Sequence, residues 1–137
     1  RLADDESAAV LFVDDEAHIL AAIRRALRRE GYHLLVASSA SEAFSLLATH
    51  NVQVIVSDQQ MPQMSGTEFL ERAKGLYPRT VRMVLSGYSD IAAVTDAINK
   101  GAVYRFLQKP WSDEELKNEI AGALRHWREL HAMGSAP

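Results

Sequence analysis

Three short apolar runs, each delivering a reactive polar residue at its end, constrain this chain more than any other feature. Residues 9–13 (Ala-Val-Leu-Phe-Val) lead into Asp14 and Asp15, residues 52–56 (Val-Gln-Val-Ile-Val) into Ser57 and Asp58, and residues 81–85 (Val-Arg-Met-Val-Leu) into Ser86 and Gly87. Five residues are too few for a helix, and the β-branched content suits strands buried on both faces. Residues 32–37 and 103–108 are weaker strand candidates, the second followed by Lys109-Pro110.

Helical patterns fill the intervals. Residues 16–29 carry Ile19, Leu20, Ile23 and Leu27 at helical spacing and stop at Gly31. Residues 41–48, 65–76 and 89–100 repeat the pattern, the last closed by Gly101. Ser112 opens the final helix with Glu115 three residues on, the arrangement of a capping box. Five strand–helix alternations predict an α/β fold with a parallel sheet, and right-handed crossovers cover both of its faces with helices.

Composition narrows the function classes. A length of 137 residues gives one domain with its own core. The absence of Cys removes disulfides, thiol catalysis and zinc–thiolate sites. A net charge of −3 and a pI near 5.9 argue against direct nucleic acid contact. No apolar stretch approaches the roughly 20 residues that cross a bilayer, which argues against a membrane role. The chain starts with Arg and shows no signal peptide, so the expectation is a cytoplasmic domain cut from a longer chain. Residues 1–7 are acidic and aperiodic, and disorder is expected there.

All strands of a parallel sheet end at one edge, and ligands bind outside that carboxyl edge. Asp14, Asp15, Asp58 and Ser86 should therefore meet there, with Lys109 arriving from the fifth strand. Two carboxylates about 5 Å apart repel by roughly 3 kcal/mol at an effective dielectric near 20. A hard divalent cation relieves that repulsion, and an all-oxygen donor set suits Mg²⁺. A carboxylate can also serve as a nucleophile and carry an aspartyl-phosphate. A lysine and a hydroxyl beside it can hold the oxygens of a transferred phosphoryl group. Gly87 keeps side-chain bulk away from that group. Each residue alone has a plainer reading as a cap, a loop hydroxyl or a strand end; their joint occurrence at four strand ends favours a site.

As an ordered set, Val13-Asp14-Asp15-Glu16, Ser57-Asp58 with Met61-Pro62 and Ser65-Gly66, Leu85-Ser86-Gly87 and Lys109-Pro110 resemble the receiver domain of two-component response regulators. The resemblance implies a (βα)5 doubly wound parallel sheet in the flavodoxin-like strand order 2-1-3-4-5. It covers residues 8–128, leaving 129–137 as a helix extension and linker stub. It implies that Asp58 is the phosphoacceptor, and that Asp15, Asp58 and the main-chain carbonyl of Gln60 coordinate Mg²⁺ with Asp14 assisting. Lys109 pairs with the phosphoryl group, Ser86 donates to it and moves on activation, and Gln59 and Gly87 border the phosphoryl pocket. Phe106 takes the switch-aromatic position, with plain packing on the fifth strand as the alternative and Tyr104 on the same face. Lys109-Pro110 is implied to be cis.

The implied partners are a histidine kinase or histidine phosphotransfer protein, with an output domain C-terminal to the receiver. Ser-Asp-Gln-Gln-Met-Pro, Ser-Gly-Tyr and Tyr-Arg-Phe-Leu-Gln-Lys-Pro-Trp are similar to receivers joined to HD-GYP phosphodiesterases or to hydrogenase-type transcriptional activators. The implied role is a phosphorylation switch that acts on no external substrate. The rival readings are a small aspartate-nucleophile phosphatase, which turnover of phosphomonoesters would reveal, and a pseudo-receiver that only docks proteins.

Two further features stand outside this set. Arg24, Arg25, Arg28 and Arg29 cluster on the first helix, as a solvated face with i,i+4 partners or as a docking surface. Leu116, Ile120, Ala123, Trp127 and Leu130 step by heptad intervals. Either Trp127 folds back on the domain, or the helix continues as a stalk that pairs two copies as a homodimer. The five histidines show no shared metal-ligand spacing.

Overall fold

A computed structural model describes residues 8–134, with side-chain surroundings through residue 132. The expectations for residues 1–7 and 135–137 lie outside the described residues. In chain order the elements are β1 (Ala9–Val13), α1 (Ala17–Leu27), β2 (His33–Ala37), α2 (Ala40–Thr49) and β3 (Val54–Asp58). They continue with α3 (Gly66–Leu76), β4 (Val81–Ser86), a 3-10 turn (Tyr88–Asp90), α4 (Ile91–Asn99), β5 (Arg105–Gln108) and α5 (Asp113–Gly134). The five strands form one sheet in the order β2-β1-β3-β4-β5, and every pairing is parallel. This is the expected flavodoxin-like order.

Alternation along the strands explains the layering. Val10, Phe12, Val54, Val56, Met83 and Leu85 project to one face, where α1 (Leu20, Ile23, Leu27) and α5 (Leu116, Ile120, Leu124) cover them. Leu11, Val13, Ile55 and Val84 project to the other, under α2, α3 and α4. Residues buried on both sides of β1, β3 and β4 read as continuous apolar runs because neither face meets water. Each such side chain contributes roughly 1.5–3 kcal/mol of hydrophobic stabilisation.

The helix boundaries have local causes. Ser112 Oγ accepts from the Glu115 N–H at 3.1 Å, while Glu115 Oε1 accepts from the Ser112 N–H at 2.9 Å. This reciprocal pair is the capping box expected from the sequence. A related cap starts α2 one residue before its expected first residue: Ser39 Oγ accepts from the Glu42 N–H at 3.1 Å, while Glu42 Oε1 accepts from the N–H of Ser38, one residue earlier, at 2.7 Å. Gly31 and Gly101, the expected stops of α1 and α4, have φ of +95° and +76°, a region open to glycine without steric cost.

β2 and β4 differ from expectation by one residue at one end, and β3 and β5 by two. β3 occupies residues 54–58 rather than 52–56, so Asp58 is the last strand residue and not a loop residue. Val10 pairs with Val54, while Gln53 precedes the ladder and its Oε1 accepts from the Ala9 N–H at 2.6 Å. β5 begins at Arg105 rather than 103. Buried Arg82 explains that shortening, because its Nε donates to the Ala102 carbonyl at 2.8 Å and holds the α4–β5 connection outside the ladder.

Candidate functional site

Register places the polar strand ends side by side. Val13 pairs with Ser57, Asp58 with Leu85, and Ser86 with Gln108, so the positions just beyond β1, β3, β4 and β5 share the carboxyl edge. Asp14, Asp15 and Asp58 each offer a carboxylate oxygen there, all within 4.8 Å of one another. Asp58 is 2 % exposed, Asp14 is equally buried, and Asp15 is open to solvent. Lys109 Nζ forms an ion pair with Asp58 Oδ1. The Lys109 N–H donates to the Ser86 carbonyl at 2.9 Å, and the Lys109–Pro110 peptide is cis.

Burial sets the protonation chemistry. It lifts the Asp14 carboxyl from 3.8 to about 6, with the nearby Asp58 charge adding to the effect and the Glu16 N–H, which donates to Asp14 Oδ1 at 2.9 Å, opposing it. Burial likewise raises Asp58 above the ordinary carboxylate range, against the pull of the Lys109 ammonium. Three crowded carboxylates facing one cation leave excess negative charge, and an all-oxygen set of this kind fits a hard divalent ion such as Mg²⁺.

The remaining expected site residues divide. Ser86 is buried at the end of β4, next to β5. At Gly87 an added Cβ would meet nothing within 4 Å, so the absent side chain leaves open space beside the site rather than relieving a clash. The Gln59 side chain is engaged away from the Asp58 carboxylate. Its Oε1 accepts from the Thr67 N–H at 2.7 Å and its Nε2 donates to Thr67 Oγ1 at 3.0 Å. Both polar ends of that side chain brace the start of α3 and are not available to a phosphoryl pocket. Phe106 is 42 % exposed on the edge strand. Tyr104 is tied to α5 by stacking on His126, with ring centroids 4.2 Å apart.

Sequence reasoning gave two residues no role: Gly66, which enters only as part of a motif, and Asp90. Gly66 donates its N–H to the Gln59 carbonyl at 3.0 Å and lies so close to the Asp58 carbonyl that a Cβ would come within 2.3 Å of it. Asp90 receives hydrogen bonds from Gln60 and from the Gly87 N–H. The spacing Gly87-x-x-Asp90 at a turn start was the available signal. Arg24 and Arg25 at the end of α1 and Arg28 and Arg29 just past it are exposed, and among the described residues none of the four forms an ion pair, so the expected i,i+4 partners are not engaged.

A parallel doubly wound sheet whose carboxyl edge gathers three aspartates and a lysine defines an α/β domain of the acidic-pocket type. The family described as the response regulator receiver domain matches residues 10–121, and the chain belongs to it. It is 39% identical over 120 residues to the hydrogenase transcriptional regulatory protein HoxA of Cupriavidus necator, covering 88% of this chain and 25% of that protein. It is 32% identical over 127 residues to the DNA-binding transcriptional regulator NtrC of Proteus hauseri, covering 93% and 27%. The chain thus spans about a quarter of the length of these curated relatives. Among solved structures it resembles the signal receiver domain of an HD domain-containing protein from Pseudomonas fluorescens, with a TM-score of 0.84, 37% identity, and coverage of 89% and 98%. The chain is therefore a receiver domain of two-component signal transduction. Among the described residues no helix is long and apolar enough to cross a membrane.

Proposed function

We propose that this receiver is a Mg²⁺-dependent switch that takes a phosphoryl group on Asp58 from a partner histidine kinase or histidine phosphotransfer protein. The observation that carries this reading is the ion pair of buried Asp58 with half-buried Lys109 inside the cluster of three carboxylates. An Asp58 oxygen attacks phosphorus, the bond from phosphorus to the donor's histidine nitrogen breaks, and the donor leaves with the electron pair. Lys109 Nζ offsets charge on the transferred oxygens, and the Ser86 hydroxyl donates to one of them. The carboxylates of Asp14, Asp15 and Asp58 and the main-chain carbonyl of Gln60 would hold Mg²⁺, which when bound neutralises part of the charge gathered there. Water later attacks phosphorus, the Asp58 carboxylate is regenerated and inorganic phosphate leaves.

On this reading the chain acts on no external substrate and works in the cytoplasm. Phe106, exposed on the edge strand opposite Val84, two residues before Ser86 in the register, is the side chain that changes environment. The four exposed arginines at the C-terminal end of α1 and in the turn after it offer a cationic face to a partner. This reading includes an output domain C-terminal to α5, and further chain beyond the receiver is supported by the greater length of the relatives, which are transcriptional regulators by name. Intact-mass measurement after incubation with acetyl phosphate and Mg²⁺ tests the central claim. One added phosphoryl group is expected, and none in Asp58→Ala. An unmodified mass, or a modification that survives the substitution, overturns the reading.

A further inference from the structure

Two loops border the outer ends of β3 and β4, one beginning at Gln59 and one at Gly87. A side-chain hydrogen bond crosses between them: Gln60 Nε2 donates to Asp90 Oδ1 at 2.5 Å. The other Asp90 oxygen accepts from the Gly87 N–H at 3.2 Å. Asp90 is 7 % exposed, and the donors that hold its two oxygens are a neutral amide and a backbone N–H. β3 and β4 are neighbours with Asp58 opposite Leu85, so the Gln60–Asp90 link spans the opening just beyond Asp58. Tyr88, by contrast, is 82 % exposed and points its bulk into solvent. A glutamine side chain has three rotatable bonds and leaves such an opening readily unless a partner fixes it. A carboxylate acceptor supplies a strong, charge-assisted bond for that purpose.

We infer that Asp90 is a positioning residue for phosphoryl turnover: it fixes Gln60 across the opening between β3 and β4 and so limits the access of water to a phosphoryl group on Asp58. The inference rests on Asp58 being the phosphoacceptor. The step concerned is attack of water on phosphorus, with cleavage of the phosphorus–oxygen bond to Asp58, return of the electron pair to its carboxylate, and release of inorganic phosphate and a proton.

The test uses the 137-residue chain phosphorylated with acetyl phosphate and Mg²⁺, freed of donor, and followed by intact mass as the added group decays. Gln60→Ala and Asp90→Ala should each shorten the half-life at least threefold. The double variant should decay no faster than the quicker single variant, because both substitutions remove one link. A purely structural role for Asp90 would not produce that coupling. Exchanging the pair, Gln60→Glu with Asp90→Asn, reverses donor and acceptor and keeps an acceptor for the Gly87 N–H. Its half-life should return to within twofold of the parent. Single variants within twofold of the parent, effects that multiply in the double variant, or an exchanged pair that decays like Asp90→Ala would each overturn the inference. Gln60→Ala and the exchanged pair decide the matter if Asp90→Ala does not fold. A parent chain that takes no phosphoryl group overturns the Asp58 reading together with this one, whereas normal labelling with unaltered decay overturns this one alone.

Discussion

Asp14 shows what it costs to bury a carboxyl group for a site. Its pKa rises from 3.8 to about 6, chiefly through burial, so the folded chain binds its proton more tightly than the unfolded chain does. Below the unfolded value both states are protonated and the group is neutral toward stability. As pH rises from about 4 to about 6 the unfolded state releases its proton first, and stability falls through that window. At neutral pH the accumulated cost is on the order of 3 kcal/mol, at about 1.4 kcal/mol per pH unit. Asp14→Asn keeps an oxygen for the Glu16 N–H and removes the charge. Urea denaturation in metal-free buffer should find this variant more stable than the parent at pH 7, with the difference closing toward pH 4. Parallel pH profiles for the two proteins would contradict the assignment. Asp58 shifts in the same direction, so some pH dependence should persist in the variant.

At the scale of elements, the join between β3 and α3 carries the least tolerance. A Cβ on Gly66 would lie 2.3 Å from the Asp58 carbonyl oxygen and 2.9 Å from its carbon, both backbone atoms that cannot swing aside. Gly66→Ala should therefore cost about 1–3 kcal/mol of stability and slow labelling of Asp58 by acetyl phosphate. Gly87→Ala serves as the contrast. Its φ is −96° and nothing lies within 4 Å of an added Cβ, so stability should stay within about 0.5 kcal/mol of the parent. Thermal or chemical denaturation of the two variants side by side checks this. These cases also mark what could be read in the sequence. β1 and β4 were legible to within a residue because burial on both faces makes a strand uniformly apolar. Asp14, Asp15, Asp58, Ser86 and Lys109 were legible because each follows or ends such a run. β3 was displaced by two residues because Val52 is buried and apolar without joining the ladder. Asp90 and the bond of Gln59 to Thr67 were hidden because a contact between residues 30 apart, or a side chain turned toward the next helix, leaves no periodic trace.

Across the whole molecule, α5 links the core to whatever follows it. Its inner residues Leu116, Ile120, Ala123 and Leu124 belong to the buried cluster, and Trp127 packs against that same cluster while stacking on His131 at 3.8 Å. Of the two expected readings of Trp127, this contact supports the one in which the indole folds back on its own domain. Leu130 is 47 % exposed and is left outside. Trp127→Ala should cost about 1–3 kcal/mol, less than a fully buried Trp because the ring is only partly enclosed. Leu130→Ala should stay within about 0.5 kcal/mol of the parent by chemical denaturation. Equal effects at the two positions would restore the stalk. The pairing of Asp58 with Lys109 has a consequence in the order of synthesis. A chain made from its N-terminus presents Asp14, Asp15 and Asp58 long before Lys109 has been added. Until β5 emerges and docks on β4, the nascent sheet holds three crowded negative charges without their cation, and the last strand to be made is the one that completes both the sheet edge and its charge balance.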